Sequence, residues 1–309
     1  MNEKRNSKRR WNTANIGSQK GRSVVITGTG GLGYETAIVL SEAGAEVILA
    51  GRNKAKGEVS VNSIQKLYPT ANIRFEQLDL ADLSSVEAFS VRMKKQLGSL
   101  DILINNAGVM ATPIRKSTKD GFELQFGTNY LGHFALTAHL IPLLQKSDSP
   151  RVVNLSSMAH RSGTINFDDL QSERNYNPNK AYSQSKLACL MFSFELQRRS
   201  NIAGWGIRSI GVNPGGVATD LIPNGPGKTP IMKWIVMPTL QTPSEGARSS
   251  LFAATSPEVK GGLLYGPTGF MEIWGPPKLV KPAQQAEDVL VAAKLWDISK
   301  QLVHMENIV

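Results

Sequence analysis

The sequence predicts an α/β protein: a single-domain, doubly wound parallel sheet with helices on both faces. Apolar runs of strand length alternate with longer helix-like segments, and no internal repeat or low-complexity linker divides the chain. The strands are apolar at almost every position, as in parallel sheets covered on both sides.

In chain order, "SVVITG" (23–28) reads as a first strand and "YETAIVLSEAG" (34–44) as a helix closed by Gly44. "EVILAGR" (46–52) is a second strand, residues 53–67 a helix ending before Pro69, and "IRFEQLDL" (73–80) a third strand. An amphipathic helix (84–98) precedes the unbroken apolar strand "LDILINNAG" (100–108). A helical stretch near 120–146, a strand "RVVNLSS" (151–157), a helix near 179–200 and a strand "GIRSIGVNPGG" (206–216) follow. A polar insert (158–179) and a Pro/Gly-rich stretch (214–243) read as irregular.

With 309 residues and 41% hydrophobic content the chain can bury a large core. Its single cysteine, Cys189, excludes an internal disulfide. No secretory signal is apparent, and no window approaches the roughly 18 apolar residues of a membrane span. These features lead us to expect a cytoplasmic protein. The net charge of +10 is lopsided: residues 1–22 carry seven cations (Lys4, Arg5, Lys8, Arg9, Arg10, Lys20, Arg22) against Glu3, which is +6 there and +4 elsewhere. Residues 1–20 read as a flexible, solvated basic arm rather than a nucleic-acid face, and residues 21–309 as the folded domain.

Gly28, Gly30 and Gly33 fit G-x-G-x-x-G between a strand and a helix. There, glycines allow a tight turn and bring backbone N–H groups to a pyrophosphate at the helix N-terminus. The second strand ends in Arg52 without a carboxylate, which favours the 2′-phosphate of NADP(H) over the free ribose of NAD(H), though NAD(H) stays open. "YSQSK" places Tyr182 and Lys186 one helical turn apart, about 6 Å along the axis. An ammonium beside a phenol favours the phenolate, the form needed for proton transfer.

These residues carry a resemblance. "TGTGGLG" (27–33), "LDL" (78–80), "NNAG" (105–108), "NYLGHF" (129–134), "NLSS" (154–157), "YSQSK" (182–186) and "NPGGVATD" (213–220) occur in the order seen in the short-chain dehydrogenase/reductase superfamily. The chain most resembles the branch with retinol dehydrogenases, WW-domain oxidoreductases and protochlorophyllide reductases, which also matches "HRSGTINFDDL" (160–170) and "YGPTGFMEIWGPPKLV" (265–280) over roughly residues 11–303. The resemblance implies a Rossmann fold and the following roles. Tyr182 is the general acid or base, and Lys186 binds the nicotinamide ribose and assists Tyr182. Ser157 orients the substrate oxygen, and Asn129 holds a water linking Lys186 to solvent. Cofactor contacts are implied for Gly28, Gly30, Gly31, Leu32, Gly33, Arg52, Asp79, Leu80, Asn106, Ala107, Gly108, Pro214, Gly215, Val217 and Thr219, besides Tyr182 and Lys186. Dimers or tetramers through the helices near 120–146 and 179–200 are also implied.

Two departures stand out. Ser157 and Tyr182 lie 25 residues apart, an insert typical of this branch, within which His160 is expected at the surface. The glycine turn is one residue shorter than the family's T-G-x-x-x-G-x-G and carries no cation, so recognition of a 2′-phosphate falls largely to Arg52. His133, His139, His160 and His304 do not group with Cys189 at ligand spacing, and no metal is expected. The apolar run around Met232, Trp234, Ile235, Val236, Met237 and Leu240 suits a substrate-covering loop. The expected reaction is reduction of bulky apolar or aromatic ketones or aldehydes. A lipid-type alcohol dehydrogenase for retinoids or sterols and a non-catalytic NADP(H)-binding regulator are the alternatives.

Overall fold

The computed structural model describes residues 11–218 and 240–305. Among the described residues eight strands form one sheet: β1 (Ser23–Thr27), β2 (Glu46–Gly51), β3 (Ile73–Gln77), β4 (Ile102–Asn105), β5 (Arg151–Leu155), β6 (Arg208–Val212), β7 (Leu264–Pro267) and β8 (Pro277–Leu279). Their order is β3-β2-β1-β4-β5-β6-β7-β8. β1 to β7 run parallel, whereas β8 returns antiparallel along β7 with Tyr265 opposite Leu279. The doubly wound parallel sheet expected from the sequence thus carries one antiparallel strand at its edge. An arch that includes a 3₁₀ turn (Phe270–Glu272) carries the chain back, with no crossover α-helix to restore the direction.

Alternate residues of each central strand feed opposite cores, the period-2 consequence of the pleat. Val25, Ile48, Leu103 and Val152 face one cluster, and Val24, Ile26, Leu49 and Ile104 face the other. On the second face lie α1 (Gly31–Glu42) and α2 (Lys54–Leu67). The first face holds α3 (Leu83–Gln96), the short α4 (Leu124–Phe126), α5 (Gly132–Leu144) and α6 (Pro178–Ala203). α7 (Pro243–Thr255) joins α1 on the second face, and α8 (Val289–Leu302) closes the first with Trp296 against Phe134 and Phe192. A π-helical turn, Gly127–Leu131, links α4 to α5.

Helix starts follow local chemistry. Asn53, Asp82 and Asn177 cap α2, α3 and α6 with side-chain oxygens that accept backbone N–H groups, and Pro178 occupies the first turn of α6. α1 begins at Gly31, three residues before the expected start, with Gly30 in the cap position. β3, β4, β5 and β6 end earlier than their apolar runs, whose last residues continue as loops at the carboxyl edge. The chain passes from β1 outward to β2 and β3, then returns to place β4 on the other side of β1. That reversal opens a crevice beyond the carboxyl ends of β1 and β4, where ligands bind in such sheets.

Within residues 11–20, placed in the arm by the sequence reading, Trp11, Ile16 and Gln19 rest against the α1 and α7 side of the sheet while most of their neighbours are exposed. Trp11 packs edge-on against Phe252 at 5.2 Å between ring centroids, and the Gln19 N–H donates to the Ala43 carbonyl at 2.8 Å. Among the described residues no helix is long and apolar enough to cross a membrane.

Candidate active site

At the crevice a cavity of about 270 Å³ is lined by Gly28, Arg52, Asp79, Leu80, Ala107 and Gly108, all expected from the sequence. Its glycine turn is built by close approach. Gly28 has φ +93° and donates its N–H to the Ala50 carbonyl at 2.7 Å. A Cβ on Gly33 would lie 2.2 Å from the Gly28 carbonyl oxygen, so no larger residue fits there. Gly30, Gly31, Leu32 and Gly33 open α1 beside this cavity rather than lining it.

Asn106, expected among the cofactor contacts, turns its side chain toward the backbone of β1. Its Nδ2 donates to the Thr27 carbonyl at 2.6 Å, so the side chain braces the turn from below. The backbone N–H groups of Asn106 and Ala107 both donate to Thr27 Oγ1, at 2.9 and 3.0 Å. With that oxygen accepting twice, its own proton goes to His133 Nε2 at 2.9 Å, which assigns the His133 proton to Nδ1. Nδ1–H in turn donates to the Asn129 carbonyl at 2.8 Å. Burial holds this imidazole neutral, pushing its pKa down to about 4, with the Lys186 charge acting in the same direction.

The sequence reading missed Lys56, Asn53, Thr29 and Thr128 at the same cavity. Lys56 stands in the first turn of α2, four residues after Arg52, so both cations and the helix N-terminus meet at one rim. The i,i+4 spacing of two cations across a strand-to-helix junction was the available signal.

The expected catalytic residues converge at the carboxyl end of β5. Ser156 Oγ donates to the Lys186 carbonyl at 2.8 Å and ties β5 to α6, while Ser157 starts a 3₁₀ turn (Met158–Ser162). Lys186 is 6% exposed, donates from Nζ to the Leu155 carbonyl at 3.1 Å, and sits 5.9 Å from the Tyr182 ring centroid. A Cβ on Gly108 would lie 3.1 Å from Asn129 Oδ1 and 3.6 Å from Lys186 Nζ, so the cleft floor and the α6 pair adjoin. Asn129 sits in the π-helical turn with its amide clamped on the Val109 backbone, Oδ1 accepting at 2.7 Å and Nδ2 donating at 2.9 Å. Nδ2 also donates to Ser185 Oγ at 3.0 Å. Beside it, Asn105, Asn129, His133 and Leu155 border a small space of about 10 Å³, at the lower limit of what holds one water.

His160 corrects an expectation: it is fully buried, not at the surface. Its Nε2 accepts the Ala283 N–H at 3.2 Å, which leaves the proton on Nδ1 to donate to the Ser157 carbonyl at 2.6 Å. Desolvation lowers its pKa. The covering partner comes from more than a hundred residues away, beyond the reach of local pattern reading.

Pro214, Gly215 and Val217, expected among the cofactor contacts, follow β6 and do not line the crevice cavity. Gln241 Nε2 donates to the Pro214 carbonyl at 2.9 Å, and Val217 pairs with Gln241 in an isolated bridge. Thr219 and the apolar run from Met232 to Met237 lie outside the described residues. Among the described residues no group of three His, Cys, Asp or Glu is placed to hold a metal.

A family model described as short chain dehydrogenase matches residues 22–226. Human polyprenol dehydrogenase is 42% identical over 247 residues, covering 77% of this chain and 74% of its own. Human retinol dehydrogenase 14 is 40% identical over 311 residues, covering 93% and 88%. Among solved structures, an uncharacterized protein from Mycobacterium paratuberculosis superimposes with a TM-score of 0.81 at 40% identity, covering 96% of this chain and 99% of that one. A short chain dehydrogenase from Shigella flexneri complexed with NADP gives a TM-score of 0.64 at 25% identity, covering 79% and 96%.

Proposed function

The chain belongs to the short-chain dehydrogenase family of oxidoreductases, and from that premise we propose that it moves a hydride between NADP(H) and a bulky, apolar, lipid-type alcohol or aldehyde. The observation that carries this reading is the Lys186 ammonium, buried beside Tyr182 and within reach of the Gly108 floor of the nucleotide cleft. NADP(H) fits the crevice chemically. A glycine turn that a Cβ would block meets the α1 N-terminus, and Arg52 with Lys56 offers two cations to a 2′-phosphate. The cofactor seen in the Shigella flexneri relative supports the same preference.

When bound, the nicotinamide supplies the hydride to a carbonyl carbon, or accepts it from an alcohol. In the reducing direction the Tyr182 hydroxyl gives its proton to the substrate oxygen, and the Lys186 charge stabilises the phenoxide left behind. Ser157 Oγ donates a hydrogen bond to that oxygen as negative charge develops on it. Asn129, whose Oδ1 lies beside the Gly108 floor shared with Lys186 Nζ, in this reading helps return the proton through a bound water. In this reading residues 21–309 act as one Rossmann-fold unit, with Pro214, Gly215, Val217 and Thr219 beside the nicotinamide.

The relatives' names favour a lipid-type substrate over the aromatic ketones first expected. The exposed side chains of Phe270, Met271 and Trp274 support it too, because their segment is hydrogen-bonded through the Ile273 carbonyl to Gly216 N–H at 3.0 Å. The test is oxidation of NADPH and NADH against a panel of retinoid and polyprenoid aldehydes, aromatic ketones and small polar ketones. Preference for NADPH and the long apolar aldehydes is expected. Equal turnover of the small polar ketones would overturn the substrate assignment.

A further inference from the structure

We propose that Glu272 is a positioning residue that couples the Ser157 turn to the 213–216 turn, so that the substrate oxygen and the nicotinamide are held in one geometry. The inference rests on the reaction proposed above.

Its carboxylate reaches both turns. Arg161 Nη2, four residues after Ser157, donates to Glu272 Oε1 at 2.7 Å. Asn213 Nδ2 donates to Glu272 Oε2 at 3.3 Å, while Asn213 Oδ1 accepts the Gly215 N–H at 3.1 Å. The next residue extends the connection through its backbone: the Ile273 carbonyl accepts the Gly216 N–H at 3.0 Å. Glu272 therefore touches, through one residue on each side, the turn that presents Ser157 and the turn expected to border the nicotinamide.

The backbone at this point is held in an unfavourable shape. Met271 and Glu272 have φ of +50° and +59°, two consecutive side-chain-bearing residues in the left-handed region. Such strain persists where surrounding contacts over-determine it, and it concentrates at functional sites. Here the contacts that hold it are the Arg161 and Asn213 bonds and the closure of the arch by Gly269 N–H on the Trp274 carbonyl at 2.7 Å. The Ser157 side is anchored to the same C-terminal segment a second time. Ala283 N–H donates to His160 Nε2 at 3.2 Å, and Gln285 Nε2 donates to the carbonyls of Arg161 and Gly163 at 3.0 and 3.2 Å. These further contacts hold the turn in place, and the Glu272 carboxylate sets its distance from the 213–216 turn.

A coupling residue should govern rate more than affinity, because the adenosine and phosphate contacts lie at the other end of the cleft. The full chain carrying Glu272→Ala is compared with wild type and with Tyr182→Phe for kcat, KM of the aldehyde, NADPH Kd by fluorescence, and thermal midpoint. Glu272→Ala is expected to lower kcat roughly tenfold or more with NADPH Kd within about twofold of wild type. Arg161→Ala should fall in the same direction, and the double variant should be no slower than the slower single, as expected for two residues on one connection. If Glu272→Ala does not fold, the isosteric Glu272→Gln carries the test, with kcat expected to fall roughly threefold or more. Wild-type kcat in a folded Glu272 variant overturns the proposal, as does a loss confined to NADPH affinity. An inactive wild type, or an unimpaired Tyr182→Phe, overturns the reaction itself rather than the role of Glu272.

Discussion

The nucleotide crevice and the wall around Ser157 are built by different means. The crevice is mainly backbone brought close: Gly28 N–H on Ala50, the Gly33 approach to the Gly28 carbonyl, and the Asn106 and Ala107 N–H groups on the Thr27 hydroxyl. Its parts come from consecutive strand ends of a regular alternating pattern. The wall is side chains reaching across the chain. Arg161 meets Glu272 over 111 residues, and His160 meets Ala283 over 123. The difference teaches that a change at the crevice acts through steric fit, whereas a change at the wall acts through alignment of reacting groups. The two sides should therefore fail differently, and the expected failures run from the largest effect to the smallest.

Tyr182→Phe lies where the two regions meet. It should reduce NADPH-dependent aldehyde reduction by roughly 10²–10⁴-fold while leaving NADPH binding intact. Retained turnover would remove Tyr182 from the reaction.

His133 joins the regions from underneath, bridging Thr27 and Asn129, and its effect shows in stability against pH. Its native pKa of about 4 lies below the ordinary value of 6.5, so between those values the unfolded chain binds the extra proton. Stability from this group is fully present above about pH 6.5 and is lost as pH falls towards 4, by up to about 3 kcal/mol. In denaturant melts His133→Gln should start less stable at pH 7.5 and lose less between pH 6.5 and 4 than wild type. Parallel pH profiles for the two would assign the acid sensitivity elsewhere.

Gly33→Ala tests the steric side. A methyl group 2.2 Å from the Gly28 carbonyl forces the turn to move, at a cost of about 1–3 kcal/mol in stability and a weaker hold on NADPH. Its kcat at saturating NADPH should change much less, the reverse of the pattern expected for Glu272→Ala. If the two variants shift the same parameter, the distinction between the regions fails.

Arg52→Asp is the mildest. It should move the NADPH to NADH preference by roughly tenfold through loss of one charged contact. Lys56 on the same rim retains part of the attraction. An unchanged ratio in Arg52→Asp/Lys56→Ala would show that the phosphate is read at another position.

Much of the fold was legible because the alternation of strand and helix is local. Val24 to Ile26 and Val47 to Leu49 announce buried strands, and Asn53 and Asp82 announce helix starts within a few residues. The C-terminal part was less legible. β8 pairs antiparallel through three residues, Pro277–Leu279, and α7 and α8 were not assigned from the sequence. The site divides in the same way. Gly28 and Arg52 were expected from their turn and strand-end positions, whereas Asp79, Gly108 and Ser157 were expected only through the ordered set of motifs that carries the family resemblance, and Tyr182 and Lys186 through both spacing and motif. The bracing bond of Asn106 was not legible, because a polar side chain in a turn can face a ligand or brace the backbone, and only the fold brings the Thr27 carbonyl within 2.6 Å of its amide.

By itself the sequence determined the doubly wound sheet, the glycine turn at its switch point and the one-turn spacing of Tyr182 and Lys186. Each depends on residues close together in the chain, where helix and strand periods translate spacing directly into direction. Only the tertiary structure decided that His160 is buried under Ala283, that His133 is a neutral strut beneath the crevice, and that Glu272 spans two turns of the site. Those outcomes depend on which distant segments come to rest against each other. A side chain's burial and protonation are set by the neighbours that folding brings, and no local pattern records them.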